Sequence, residues 1–131
     1  MVNAMQKGKL ITLEGIEKVG KTFQLSQMLE YFKRRGVVLV VTKEPGGGIP
    51  EFRKKILELK KNSANLAEDE LHLFMEDRAA HYQNLILPTL AAGKHVISDR
   101  NKDSTVAFQG YARGMDLERI YAANQIATQG K

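Results

Sequence analysis

Residues 9–32 constrain the fold more tightly than any other stretch, because they spell out a strand, a glycine loop and a helix in succession. Lys9-Leu10-Ile11-Thr12-Leu13 is a short apolar run suited to a buried strand. Gly15-Ile16-Glu17-Lys18-Val19-Gly20-Lys21-Thr22 then fits G-x-x-x-x-G-K-[ST]. Beyond it, Leu25, Met28, Leu29 and Phe32 recur at i, i+3, i+4 and i+7, one face of a helix. In that setting the glycines let backbone N–H groups close around anionic oxygens, and the helix N-terminus adds a favourable dipole. Gly15, Ile16, Glu17, Lys18, Val19, Gly20, Lys21 and Thr22 are therefore the expected ligands of a nucleoside triphosphate. Lys21 would reach the β- and γ-phosphates and the Thr22 hydroxyl would help hold Mg²⁺. Without its flanks the same octapeptide would be a glycine turn with a stray lysine.

The 131 residues can bury one core, so a single domain over 1–131 is expected. A hydrophobic content of 43% excludes a disordered class, and no apolar run approaches the ~20 residues of a membrane span. Met1 to Gly8 lacks an apolar stretch followed by a small-residue cleavage site, and the chain has no cysteine. The expectation is a cytoplasmic protein with no membrane partner. The net charge of +5 favours phosphorylated ligands. The basic runs Lys33-Arg34-Arg35, Arg53-Lys54-Lys55 and Lys60-Lys61 lie toward helix ends or polar faces, with no interleaved aromatics for stacking bases, so no nucleic acid partner is expected.

Downstream, Val37 to Val41 is a β-branched run apolar on both faces, as in a strand covered by helices on either side. Glu44-Pro45-Gly46-Gly47-Gly48 must be a loop, and a helix is predicted from about Pro50, with Phe52, Ile56 and Leu59 inward. A long helix follows from about Glu68 into the 80s, with Pro88 breaking it or beginning a new turn. His95 to Ser98 is a third strand, and a last helix starts near Asp116 with Leu117, Ile120 and Tyr121 inward. The order β-α-β-α-α-β-α-α predicts an α/β fold, a parallel sheet layered between helices with right-handed crossovers.

Ligands of such sheets gather beyond the carboxyl ends of the strands. Lys43 to Gly47 and Asp99-Arg100 should arrive there, together with Phe74 and Arg78, four residues apart on one helical face. A ring beside a guanidinium can stack on a planar base and donate to its carbonyl; equally, Phe74 suits a core position and Arg78 a carboxylate partner. Asp99 suits either Mg²⁺ or a cap or ion pair, and Arg100 suits bidentate capture of a phosphate. His72, His81 and His95 show no metal-ligand spacing and are assigned surface or packing roles.

These segments together resemble the thymidylate kinase family, over nearly the whole chain. Leu13 to Thr22 resembles the family's phosphate loop, Thr42-Lys43-Glu44-Pro45-Gly46-Gly47 its T-R-E-P-G-G segment, and Phe74 to Ala79 its F-x-x-D-R-A helix. Ser98-Asp99-Arg100, Asp103-Ser104, Ala107-Phe108-Gln109-Gly110 and Arg113-Gly114 are similar to D-R-Y-x-x-S, A-Y-Q-G and R-G. The resemblance implies a P-loop nucleoside monophosphate kinase, a homodimer, that passes the γ-phosphoryl group of ATP to dTMP on the way to dTTP. It implies that Phe74 stacks on thymine, Arg78 bonds its carbonyl, and Ser104 and Gln109 read the base edge. Phe108 would sit near the deoxyribose. Arg100, with Lys43 and Pro45, would line the acceptor site, and Glu17 would lie near its sugar and phosphate. Lys18 stands where some members place an arginine on the transferring group, and Lys21, Glu17, Lys18, Asp99 and Arg100 form the implied catalytic set.

The chain departs from the pattern at Lys43 for arginine, Asn101 for an aromatic, Gly48 for threonine and Phe23 for a small hydroxyl residue. It also ends where the family continues through further strands, a lid and an adenine-binding loop, so a truncated domain with an apolar edge at its first strand is expected. Rival readings are a nucleotide-binding module without turnover and a deoxynucleoside kinase of the same fold.

Overall fold

A computed structural model describes residues 7–131. The opening residues, 1–6, from which an absent export signal was partly read, lie outside the described residues. The elements are β1 (Leu10–Leu13), α1 (Lys21–Lys33), β2 (Leu39–Lys43), α2 (Phe52–Asn62), α3 (Leu66–His81), α4 (Leu87–Ala91), β3 (His95–Asp99), α5 (Lys102–Thr105) and α6 (Leu117–Ala127). Two π-helical segments interrupt the helices, Tyr82–Ile86 between α3 and α4, and Val106–Ala112 after α5. The layered α/β expectation holds: a parallel three-stranded sheet, order β1-β3-β2, flanked by helices.

The last strand in sequence lies in the middle of the sheet. Leu13 and Lys43 both pair with Asp99, so the ends of all three strands, and the loops that follow them, come level at one edge. Val96, Ile97 and Ser98 of β3 are wholly buried. Val96 packs with Tyr82 and Ile86 into the main cluster, joined by partly buried Leu10, Val40, Leu85, Leu87 and Leu90. Full burial of side chains this size stabilises by roughly 1.5–3 kcal/mol each.

The second strand and the last helix need correction. The second strand runs two residues later than predicted, and it is not covered on both faces: Val41 is 46% exposed and Val38, just before the strand, 80%. As an edge strand β2 has only one neighbour among the described residues. Pro88 needs none: it begins a new turn, as one of the two expectations had it, sitting at the start of α4 directly after the π-helical segment, where a missing N–H is tolerated. Tyr121 is 53% exposed, and α6 instead buries Ile120, Asn124 and Ala127, spaced i, i+4, i+7.

Candidate active site

The phosphate loop connects the end of β1 to the start of α1. Gly20, at φ +96°, precedes the helix in a left-handed conformation that glycine adopts without strain. Lys18 holds φ +61°, which costs a non-glycine residue roughly 1–3 kcal/mol and is characteristic of functional sites. Lys21 folds back over the loop, and its ammonium donates to the carbonyls of Gly15 at 3.1 Å and Ile16 at 2.9 Å. An ammonium carries three N–H donors, so one remains for a phosphate oxygen. No side chain caps α1, which leaves its first backbone N–H groups for an anion. Glu17, Lys18, Gly20, Lys21 and Thr22 line a cleft of about 650 Å³ together with Asp99 and Arg100.

Asp99 ends the central strand beside this cleft. Its Oδ1 is buried and has no hydrogen-bond partner among the described residues. Asp99, with this unpartnered oxygen, and Thr22 line the same cleft, and a carboxylate with a hydroxyl is a hard-oxygen pair that fits Mg²⁺, which takes one or two protein oxygens and completes its shell with phosphates and water. Among the described residues no group of three or more His, Cys, Asp or Glu could hold a metal alone.

A second cavity of about 500 Å³ opens on the other side of Glu17 and Arg100. Its wall includes Pro45, Phe74, Arg78, Ser104, Phe108 and Gln109, so the structure gathers nearly every residue expected to contact the acceptor. Phe108 and Gln109 come from the π-helical segment Val106–Ala112, a geometry that recurs where side chains are re-aimed at functional sites. The Arg100 guanidinium lies 5.6 Å from the centre of the Phe108 ring. Phe74 is partly buried and meets Phe52 edge-on at 5.2 Å, so it serves packing and the cavity wall together. Lys43 is exposed at the end of β2 and belongs to the wall of neither cavity.

Arg78 is the most constrained of these side chains. It is 2% exposed; Nε donates to Glu44 at 2.7 Å, Nη1 to Asn124 at 2.6 Å and Nη2 to Thr105 at 3.1 Å. Glu44 is equally buried and uses its other oxygen on His81 Nδ1 at 3.0 Å. A carboxylate accepts only, so that ring nitrogen carries the proton. His81 Nε2 meets Thr42 Oγ1 at 2.6 Å, which extends the network from β2 across α3 to α6. The helix also clamps the glycine loop through Asp77, which accepts from the N–H groups of Gly46 (2.7 Å), Gly48 (3.0 Å) and Ile49 (2.7 Å). A Cβ at position 48 would fall 1.9 Å from the Asp77 carbonyl oxygen, so glycine is what lets the loop lie against α3.

Sequence reasoning gave no individual role to Glu14, Asp77 or Glu44, and gave His81 only a surface or packing one. Asp77 and His81 share one face with Phe74 and Arg78 at i+3 and i+4 spacings, a signal that was present. His81 does occupy a packing position, but as a polar link. Glu70 and Arg113 also line the second cavity and pair at 2.8 Å. Asn101, a departure in sequence, caps α5: its Oδ1 accepts from Lys102 N–H at 2.7 Å and Tyr82 hydroxyl at 3.1 Å. Burial pushes the Tyr82 phenol up and the Glu14 carboxyl above the usual carboxylate range, the latter only partly offset by bonds from Ser104 and Asn101.

A parallel sheet whose first strand runs through a phosphate loop into a helix, with a second cavity sharing that loop's rim, defines a P-loop nucleotide kinase fold. The comparisons narrow the class. The sequence profile of the family described as Thymidylate kinase matches residues 13–130, and the chain belongs to that family. Two curated relatives, both named thymidylate kinase, come from Desulfosudis oleivorans and Nostoc punctiforme. The first is 45% identical over 122 residues and the second 42% over 126. These alignments cover 92% and 94% of this chain but 57% and 59% of the relatives, so the chain spans less than two thirds of their length. The crystal structure of thymidylate kinase from Ehrlichia chaffeensis superposes with a TM-score of 0.78 at 38% identity, covering 92% of this chain and 68% of that one.

Proposed function

We propose that the two cavities are the donor and acceptor sites of a dTMP kinase: the loop cleft takes the triphosphate of ATP and the second cavity takes dTMP. The observation that carries this is the shared wall. Glu17 and Arg100 line both cavities, so a phosphate held in each would meet between them.

The proposed reaction is in-line. An oxygen of the dTMP phosphate forms a bond to the γ-phosphorus of ATP while the bond from that phosphorus to the β–γ bridging oxygen breaks, giving dTDP and ADP. Lys21 and the loop amides hold the donor phosphates, Arg100 holds the acceptor phosphate, and Lys18 adds positive charge at the rim. Mg²⁺, when bound by Thr22 and Asp99, would neutralise charge on the donor phosphates. Phe74 stacks on thymine, Arg78 gives its carbonyl one of the two N–H groups left over from its three protein bonds, Gln109 reads the base edge, and Phe108 lies against the deoxyribose. Lys43, outside both walls, acts through long-range charge. The chain acts as one domain, as a cytoplasmic homodimer, on free nucleotides; its family membership supports this.

The test is whether dTDP appears from ATP, dTMP and Mg²⁺, with calorimetry on both nucleotides alongside. Arg100→Ala should raise the dTMP requirement about tenfold or more and spare ATP affinity. Thymidine phosphorylated in preference to dTMP would replace this reading with a deoxynucleoside kinase. Binding of both nucleotides without dTDP would assign this stretch of chain binding alone.

A further inference from the structure

Glu14 belongs to the wall of neither cavity. It is the residue immediately before the phosphate loop, and its partly buried carboxylate turns toward the strand end that carries the acceptor arginine. Oε1 accepts the Asn101 N–H at 2.7 Å and Oε2 accepts the Ser104 hydroxyl at 2.5 Å. Having donated its proton, the Ser104 oxygen accepts from Arg100 Nη1 at 3.3 Å. On the backbone side, Arg100 N–H donates to the Leu13 carbonyl at 2.9 Å. Arg100 itself sits at φ +69°, a left-handed conformation that a residue with a side chain keeps only where its surroundings over-determine it. Both residues that bond Glu14 lie just after that strained position, one and four residues beyond it.

We propose that Glu14 is a positioning residue that aims the Arg100 guanidinium at the acceptor phosphate, through the Ser104 hydroxyl and the Asn101 backbone. This rests on the reading of Arg100 given above. Ser104 then acts as a relay more than as a reader of the base. A hydroxyl that donates to a carboxylate is polarised and becomes a stronger acceptor, so the charge on Glu14 strengthens the Ser104–Arg100 bond as well as fixing its direction. The same carboxylate joins the strand that feeds the phosphate loop to the turn that presents the arginine, so both phosphate sites share one rigid support.

Calorimetry with dTMP and thymidine, which differ only in the phosphate, separates this role from general folding support. Glu14→Gln and Ser104→Ala should each weaken dTMP binding roughly 5- to 10-fold while moving thymidine binding less than about twofold. In an Arg100→Ala background, adding Glu14→Gln should produce no further loss of dTMP affinity. Equal losses for dTMP and thymidine, or full additivity in the double variant, would overturn the inference. Should Glu14→Gln fail to fold, Ser104→Ala still decides, because it leaves the Glu14–Asn101 bond in place; an unchanged dTMP-to-thymidine ratio there refutes the relay. Wild-type protein that binds dTMP no more tightly than thymidine would instead remove the acceptor-phosphate reading of Arg100, and the inference with it.

Discussion

α1 follows the phosphate loop and α3 holds the glycine loop beyond β2 through Asp77, yet the two helices are built on opposite principles. α1 contributes no buried side chain over 13 residues; its predicted inner face of Leu25, Met28, Leu29 and Phe32 is only partly covered. α3 buries Glu70, Leu71, Leu73, Asp77, Arg78 and His81, four of them polar, and each of those four has a bonded partner. The proposed donor side therefore depends on backbone: glycine dihedrals, a left-handed Lys18 and open helix amides that a phosphate would complete. The proposed acceptor side is preorganised by a hydrogen-bonded interior. A site that binds the same triphosphate in every cycle can rely on main chain, whereas one that must recognise a base needs side chains held at fixed angles.

The contrast is open to direct attack. Glu44→Ala should be the most damaging change, costing about 3–5 kcal/mol in urea or thermal unfolding, because it strands the buried Arg78 charge. A loss below about 1 kcal/mol would mean that the acceptor wall is not rigid. Lys21→Ala should reduce turnover roughly 10²–10³-fold, about 3–4 kcal/mol, with little change in melting temperature, since its bonds are to loop carbonyls alone. If stability falls with activity, the loop is more than a ligand cradle.

The pH dependence separates two carboxylates. Glu14 titrates above its unfolded value, so its unfavourable contribution is absent below pH 4.5 and grows as pH rises through the higher folded value. Glu68, bonded by Arg119, titrates below its unfolded value, so its support is present above pH 4.5 and fades as pH falls. Melting temperature followed across acid pH should show a shallower decline on the rising-pH side in Glu14→Gln than in wild type; an unchanged profile would place Glu14 in ordinary solvent. Smallest of all, Phe23→Ala on α1, where the ring is 64% exposed, should stay within about 0.5 kcal/mol. A larger loss would show that α1 carries packing not visible in this half of the comparison.

Local patterns in the sequence were enough for the strand–loop–helix unit, the inward stripe of α1, the loop at Glu44 to Gly48 and the third strand. Each depends on nearest neighbours: apolar periodicity, glycine conformations and proline geometry act over a few residues. The same local signals failed at β2 and Tyr121, where exposure depends on what lies alongside. For the site, the phosphate loop was legible because all its ligands are consecutive. The acceptor cavity was only partly so, since its residues come from the loop after β2, from α3, from the turn after β3 and from the π-helical segment beyond.

By itself the amino-acid order determined the class of fold, the phosphate loop and the membership of a family whose motifs recur in sequence. Tertiary structure alone decided that β3 is central, that His81, Glu44 and Arg78 form one buried chain of bonds, and that Glu14 reaches Asn101 and Ser104 some 87 and 90 positions away. The physical reason is range. Dihedral preference and periodicity act along the chain, whereas desolvating a charge and satisfying it with a partner are settled only when distant segments exclude water together.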